Sequence, residues 1–147
     1  MIHNRNEYNT AYLQRRRLTR QLKSLEQAEP ETGQKVKKRV QIKTLRTQLE
    51  TLDSELAAYE NIRNHHISSV TITSLEDLPK ALIQARIAAG ISQRDLAMLL
   101  GIRERNVQRL ESQAQKKYAT ASLERLQSIA LALKVTVRIE IEFDPSV

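Results

Sequence analysis

The sequence contains no cysteine, and this absence excludes two kinds of structure. Disulfide bonds and thiolate metal sites both need cysteine, so the composition fits a reducing compartment. No apolar run approaches the roughly 20 residues of a membrane-spanning helix. The opening residues, MIHNRNEYNT, also lack the apolar core of a signal peptide. We therefore expect a cytoplasmic protein that makes no use of a membrane.

Aromatic residues are scarce as well, with four tyrosines, one phenylalanine and no tryptophan among 147 residues. Proteins that bind single-stranded nucleic acids usually stack the bases on aromatic side chains. If the chain binds a nucleic acid, the scarcity therefore favours duplex DNA over a single strand.

Positive charge is what the sequence has in excess. Lysine and arginine number 24 against 17 aspartates and glutamates, which gives a formal net charge of +7. A basic chain of this length most often binds a polyanion, and nucleic acid is the commonest one. A surface that is simply basic is the alternative. The length suffices for one domain or for two small units.

The first part of the chain has the apolar spacing of two helices. The turn-forming stretch AEPETG, residues 28–33, separates them. Because the second series follows a heptad repeat from Ile42 to Tyr59, we predict an antiparallel helical hairpin, a coiled coil, over residues 1–63. Such a hairpin buries little surface, so either a symmetry mate or a partner protein is expected to cover it. The two series are Tyr8, Tyr12 or Ala11, Arg15, Leu18, Leu22 and Leu25, then Val36, Val40, Ile42, Leu45, Leu49, Leu52, Leu56 and Tyr59.

One end of this hairpin is strongly basic. A solvated helix face explains such a charge run most simply. The other readings are an extra contact with DNA phosphates or a surface for a partner protein. The residues concerned are Arg15, Arg16, Arg17, Arg20, Lys23, Lys35, Lys37, Lys38 and Arg39.

Residues 64–78 are expected to form an extended linker. Val70 and Ile72 alternate with threonines, which is compatible with a short strand. His65 and His66 are adjacent, so their side chains point different ways, and no cysteine or acidic residue is close in sequence. We therefore predict no metal site here.

Residues 79–134 read as a succession of short helices. Ser74 and Asp77 offer a cap, and Pro79 suits the first turn of a helix that ends at Gly90. Leu82, Ile83 and Ile87 are expected to face inward.

The stretch GISQRDLAMLLGIRERNVQRLE, residues 90–111, predicts two more helices around a glycine turn. Ser92 caps the first, Gly101 ends it, and the second begins near Arg103 or Glu104. Val107 and Leu110 share the buried face of the second helix. Its opposite face, polar and rich in arginine, suits the major groove of DNA, so the pair reads as a helix-turn-helix. That face consists of Glu104, Arg105, Gln108, Arg109 and Ser112.

This stretch resembles the lambda-repressor/Cro-like, or Xre, family of helix-turn-helix transcriptional regulators. ASLERLQSIALALKV, residues 121–135, resembles the last helix of that family. One departure is Arg103, which stands where a small capping serine or threonine is usual. The positions that match the family pattern are Gly90, Ser92, Gln93, Leu96, Ala97, Leu100, Gly101, Ile102, Val107, Leu110 and Glu111.

The resemblance implies roles for particular residues. Arg86 and Glu111 are expected to form an ion pair between two helices. Arg105 and Arg109 are the best guanine readers, because a guanidinium can bond guanine O6 and N7 together. Glu104 would accept from a cytosine amine or only orient Arg105. The implied base contacts are Glu104, Arg105, Gln108 and Arg109, and the implied DNA-backbone contacts are Gln93, Arg103, Asn106, Ser112 and Lys116.

Residues 135–147 form the tail of the chain. From Val135 to Phe143 apolar residues alternate with polar ones, which predicts a half-buried β-strand. A lone strand leaves its edge unsatisfied. Its partner is either Val70–Ile72 of the same chain or a second copy of the tail across a two-fold axis. A two-fold dimer would also read two half-sites of a palindromic operator.

We therefore expect a mainly α-helical protein that binds double-stranded DNA as a homodimeric transcriptional repressor. A helical segment ahead of this kind of domain resembles HigA-like antitoxins of bacterial toxin–antitoxin operons, which implies a toxin as a partner. The alternative is a protein–protein interaction module that works through the hairpin. On that alternative, Arg105→Ala would leave activity intact and Leu49→Asp would abolish it.

We expect no enzymatic activity, no catalytic residue and no cofactor. The chain shows neither a paired-carboxylate arrangement nor a phosphate-binding glycine loop. The three histidines, His3, His65 and His66, lie outside the ordered motifs.

Overall fold

The structure is a computed structural model that describes residues 1–29, 33–64, 68–113 and 121–143. Within these ranges it contains six α-helices and one short 3₁₀ turn, and no strand. The prediction of a mainly helical fold is confirmed. None of the described helices is both long enough and apolar enough to cross a membrane. The helices are α1 (Arg5–Gln27), α2 (Lys35–Asn64), α3 (Leu78–Ala88), α4 (Gln93–Leu100), α5 (Glu104–Gln113) and α6 (Leu123–Ala132), and the 3₁₀ turn is Leu75–Asp77.

The chain divides into two compact units, Met1–His66 and Ile67–Val147. The finer division predicted from the sequence, with boundaries near residues 63, 78 and 134, stays a prediction. His65 and His66 lie outside the described residues, as do residues 30–32 of the turn between α1 and α2. No group of three or more potential metal ligands occurs among the residues that are described.

In the first unit α1 and α2 run antiparallel. Side-chain pairs near both ends show this: Tyr8 donates to Glu60, and Arg46 Nη2 lies 2.8 Å from Glu26 Oε1. Between them Arg15, the polar residue in the apolar series of α1, pairs with Asp53. The hydrogen bond to Asp53 raises the pKa of the Arg15 guanidinium.

The seam between α1 and α2 is well covered only at the end away from the connecting turn. Leu56, Tyr59 and Ile62 are buried there, and Ala11, not Tyr12, is the buried residue of α1. Towards the turn the seam residues are only half-buried, because two helices cannot surround each other. Half-buried are Leu18, Leu22, Leu25, Ile42, Leu45, Leu49 and Leu52.

The apolar series of α2 does not extend to its start. Val36 and Val40 precede the heptad series that begins at Ile42, and both are exposed. They therefore lie outside the seam. The pattern of a single helix cannot show where the facing helix ends, and α1 stops at Gln27.

The second unit has a core shared by its four helices. One cluster consists of Leu96, Ala97, Val107 and Leu133, and another of Leu78, Leu82 and Ala130. Ile129 and Val135 pack against both clusters and join them into one core. The spacing-based prediction that Leu82, Ile83 and Ile87 face inward is confirmed, since all three are buried.

The start of α3 differs from the predicted cap. Ser74 Oγ accepts from the Glu76 amide at 3.2 Å and so caps the 3₁₀ turn, whereas Asp77 makes no capping hydrogen bond. Pro79 lies in the first turn of α3, as expected, where its missing N–H leaves no helix bond unmade.

The predicted C-terminal strand is absent from the single chain. Residues 135–143 carry neither helix nor strand, and residues 68–72 do not pair with them. A strand is stable only when its backbone groups bond to a neighbouring strand, and none of the described segments supplies one. The alternation of side chains is a property of the sequence, but the hydrogen bonds that make a strand need a second segment.

Leu96 and Leu99 allow a matched test of this core, because they lie on the same helix with 2% and 59% of their surface exposed. We expect Leu96→Ala to lower the free energy of unfolding by about 2–5 kcal/mol, since it leaves a cavity. Leu99→Ala should change it by less than about 0.5 kcal/mol. Urea unfolding of the full chain, followed by circular dichroism, measures both. Equal losses would contradict the described packing.

Candidate nucleic-acid interface

α4 begins with a reciprocal cap. Ser92 Oγ accepts from the Asp95 amide at 3.0 Å, and Asp95 Oδ2 accepts from the Ser92 amide at 3.2 Å. The predicted role of Ser92 as a cap is confirmed. The hydrogen bonds from Ser92 hold the pKa of the Asp95 carboxyl below its ordinary value. The carboxylate form that closes the cap therefore persists to lower pH than that of an ordinary aspartate.

A glycine makes the turn between α4 and α5. Gly101 has φ 65°, a left-handed conformation that residues with a Cβ rarely adopt. The amide of Ile102 then donates to the Ala97 carbonyl at 3.0 Å, which caps the end of α4. Ile102 packs against the core cluster, and α5 starts two residues later at Glu104. The start of α5 thus follows Arg103, and the alternative beginning at Arg103 is wrong.

α5 has one buried and one exposed side. Val107 is buried and Leu110 half-buried. The residues predicted to read bases all lie on the exposed side, together with Arg103 and Ser112. Asn106 is half-buried at the edge. The outer face of α5 is the name used below for five exposed residues: Glu104, Arg105, Gln108, Arg109 and Ser112.

Two hydrogen bonds order the polar part of the outer face. Gln108 Nε2 donates to Glu104 Oε1 at 3.2 Å, and Ser112 Oγ donates to the Arg109 carbonyl at 2.9 Å. No hydrogen bond or ion pair engages the guanidinium of Arg105 or Arg109 within the described part of the chain. Both groups therefore present their donors outward.

A buried polar network fixes this helix from behind. Arg86 of α3 donates through Nε to Glu111 Oε1 at 2.6 Å and through Nη2 to Oε2 at 2.7 Å. Gln93 Nε2 donates to the same Oε2 at 2.7 Å. The exposed fractions are 2% for Arg86, 5% for Gln93 and 6% for Glu111. The predicted ion pair between Arg86 and Glu111 is confirmed. Together with Gln93 it joins α3, α4 and α5.

The bond between Gln93 and Glu111 could not be predicted from the sequence. The family resemblance implies that Gln93 contacts a DNA phosphate and supports α5, but it does not identify Glu111 as the partner. The structure places its amide in the buried network, where it supplies Glu111 with a third hydrogen bond. No local signal joins two residues on different helices, so only the packing reveals the contact. Lys116, another predicted backbone contact, lies outside the described residues.

Two short helices at a glycine turn, with an arginine-bearing face outward and a buried network behind it, define a helix-turn-helix unit. The family model described as helix-turn-helix matches residues 82–139. This part of the chain is a lambda-repressor-like helix-turn-helix domain. The match supports a role as a DNA-binding transcription regulator. Comparisons with curated proteins and with solved structures gave no match.

The buried ion pair can be tested with a single and a double substitution. Glu111→Leu leaves the Arg86 guanidinium buried without its carboxylate, so we expect the free energy of unfolding to fall by about 3–5 kcal/mol. Arg86→Met combined with Glu111→Leu removes both charges and should recover most of that loss. Urea unfolding of the full chain measures both variants. A double variant no more stable than Glu111→Leu would show that the unpaired charge is not the cause.

Proposed function

We propose that the protein is a sequence-specific transcriptional repressor that binds a palindromic operator as a homodimer. One observation carries the proposal: the outer face of α5 presents Arg105 and Arg109 without partners among the described residues, while Glu111 on the same helix is held in the buried network. A rigid helix with unengaged donors on one side is suited to reading base edges in the major groove. Occupancy of the operator would block polymerase sterically.

The base-reading roles follow from the chemistry of each side chain. Arg105 and Arg109 would each donate two bonds to a guanine, at O6 and N7. Gln108 suits an adenine, whose N6 and N7 match an amide, and Glu104 suits the amine of a cytosine. Because Gln108 and Glu104 are hydrogen-bonded to each other, we propose that these two side chains act as a unit.

The remaining predicted contacts would position the domain on the DNA backbone. Arg103 and Ser112 are exposed beside the outer face of α5. Gln93 is held by Glu111 at the start of α4, so its contact with a phosphate would be set in advance by the network. Phosphate contacts carry no sequence information but make affinity depend steeply on salt. The proposed set is Gln93, Arg103, Asn106, Ser112 and Lys116.

Substitution of single arginines separates base readout from charge. We expect Arg105→Ala and Arg109→Ala each to weaken binding to the operator by about 5- to 150-fold, because a bidentate contact is worth about 1–3 kcal/mol. Binding to scrambled duplex should change much less. Arg103→Ala should weaken both DNAs alike and lower the salt slope by about one. Gel shifts with DNA from upstream of the chain's own gene measure these affinities.

Arg125→Ala is the matched control, because it removes the same charge from an exposed site on α6. It should retain the preference for the operator. If the wild type and all variants bind both DNAs equally, base readout by α5 is wrong. The hairpin would then be the working surface of an interaction module.

We also propose that the protein is the antitoxin of a toxin–antitoxin operon and that the hairpin binds the toxin. The half-buried seam of α1 and α2 supports this, since seven apolar residues stay partly exposed towards the connecting turn. Val36 and Val40 add two exposed apolar side chains at the start of α2. Apolar surface of this extent is typical of a site that another protein covers.

Co-expression with the product of the neighbouring gene tests this role. That product alone should arrest growth, and co-expression of the full chain should restore it. We expect Leu49→Asp to abolish rescue and Gln48→Asp, at the adjacent exposed position of α2, to retain it. Val36→Asp combined with Val40→Asp provides a second test at exposed positions, where folding is little affected. Rescue by all of these variants, or a neighbouring product without toxicity, would refute the antitoxin role.

A further inference from the structure

The tail after Val135 carries a regular series of exposed apolar side chains. Val137, Ile139, Ile141 and Phe143 have 40, 59, 70 and 87% of their surface exposed. Thr136, Arg138, Glu140 and Glu142 alternate with them. An isolated exposed apolar residue is ordinary, but four at every second position make one face of an unpaired strand pattern. Such a segment is a template for pairing with another chain.

The start of the tail is fixed to the domain. The amide of Val135 donates to the Ala130 carbonyl at 2.9 Å, and the amide of Lys134 donates to the Leu131 carbonyl at 3.0 Å. With Lys134 at φ 56°, these bonds form a Schellman motif at the end of α6. The Val135 side chain packs against both core clusters. The tail therefore leaves every copy of the domain from the same rigid point.

We propose that residues 135–143 pair, as an antiparallel strand, with the same residues of a second copy of this chain, with Ile139 on the two-fold axis. This inference rests on the homodimer proposed above and identifies its interface. Val70–Ile72, the other partner considered, does not pair with the tail in the single chain. Ile72 instead packs against the cluster of Leu78, Leu82 and Ala130.

The order of charges along the tail favours a second copy of the tail as its partner. It also determines which residues of the two copies face each other. With Ile139 opposite itself, Arg138 faces Glu140 of the second copy, and the symmetry makes this ion pair twice. Val137 then faces Ile141, Val135 faces Phe143, and Thr136 faces Glu142. Every residue of the segment is paired, and like charges never lie opposite each other. Opposite charges that face each other across a strand pair stabilise the pairing.

The neighbouring registers are worse for physical reasons. A shift that puts Arg138 or Glu140 on the axis places two like charges directly opposite each other. Registers with the two-fold axis between two neighbouring residues place every apolar residue opposite a polar one. The apolar side chains then no longer share one face. A two-stranded ribbon is marginal without cover. Leu131, in the last turn of α6, is 71% exposed and offers apolar surface that could cover the ribbon.

Single cysteines test the register directly, because the chain has no cysteine of its own. With Ile139 on the axis, Ile139→Cys brings two thiols opposite each other, within reach of a disulfide. In Val137→Cys or Ile141→Cys the two thiols lie about 13 Å apart along the strands and are not bridged. We expect diamide oxidation of the full chain to cross-link Ile139→Cys at least tenfold faster than the other two. Faster cross-linking at either flanking position, or equal rates at all three, would overturn the register.

Charge reversal tests whether this pairing holds the dimer. We expect Arg138→Glu or Glu140→Arg to raise the dissociation constant of the dimer roughly tenfold or more, since two attractive pairs become repulsive. The double variant Arg138→Glu/Glu140→Arg restores both pairs and should return within about threefold of the wild type. Arg138→Glu/Glu142→Arg is the matched control, which restores pairing only if Glu140 lies on the axis. Sedimentation equilibrium of the full chain without DNA measures each constant.

The outcomes of these experiments separate this inference from the repressor proposal. A wild type that dimerises equally well after either single reversal would show that another surface, such as the hairpin, holds the dimer. A wild type that stays monomeric would overturn both the interface and the homodimer. Neither result bears on base readout, which the Arg105 and Arg109 gel shifts decide separately. Because the tail side chains are exposed, thermal unfolding of the monomeric domain, measured at a protein concentration well below the dissociation constant of the dimer, should be unchanged in all variants.

Discussion

The buried network of Arg86, Gln93 and Glu111 is the constraint on which the DNA-binding domain depends. A carboxylate removed from water is costly unless its oxygens are bonded, and Glu111 accepts three hydrogen bonds from two helices. Arg86 also donates through Nη1 to the carbonyl of Ile91, at 2.8 Å, in the connection between α3 and α4. Apolar packing alone tolerates a helix that rotates or slides, whereas these bonds form at one orientation only. The network therefore fixes the rotation of α5 about its own axis, and with it the direction of the outer face.

This constraint explains how a short helix can carry an unfavourable surface. α5 has only 10 residues, too few to be stable alone in water. Arg105 and Arg109 lie four residues apart, and like charges at that spacing destabilise a helix by a few tenths of a kcal/mol. The network and the burial of Val107 offset that small cost from the other side of the helix. Repulsion between the two guanidinium groups in the free domain would be relieved by anionic DNA, so the same arrangement that weakens the helix favours the complex.

The features that could be predicted from sequence are those with a local cause. Ser92 and Gly101 are recognisable because a cap and a left-handed turn each depend on a few consecutive residues. The pair of Arg86 and Glu111 was available only through the family resemblance, and the bond between Gln93 and Glu111 not at all, since the packing of separate helices creates both. Val36 and Val40 lie ahead of the heptad series, and whether such residues are covered depends on where the opposing helix stops. The prediction of a strand over residues 135–143 was wrong for a related reason. The alternation of apolar and polar residues does not supply the second segment with which a strand must pair.

The tail and the outer face of α5 are both incomplete in one chain, but they call for different partners. The outer face carries two guanidinium groups and one carboxylate, so its net charge is positive, a second copy would repel it and a polyanion would complement it. The tail carries both signs in the order Arg138, Glu140, which becomes complementary when the segment is reversed against itself. Two identical chains can therefore satisfy the tail and still leave both arginine faces unoccupied. Pairing through the tail would join two domains at rigid anchors without competing with DNA, which is the arrangement that a two-fold symmetric operator requires.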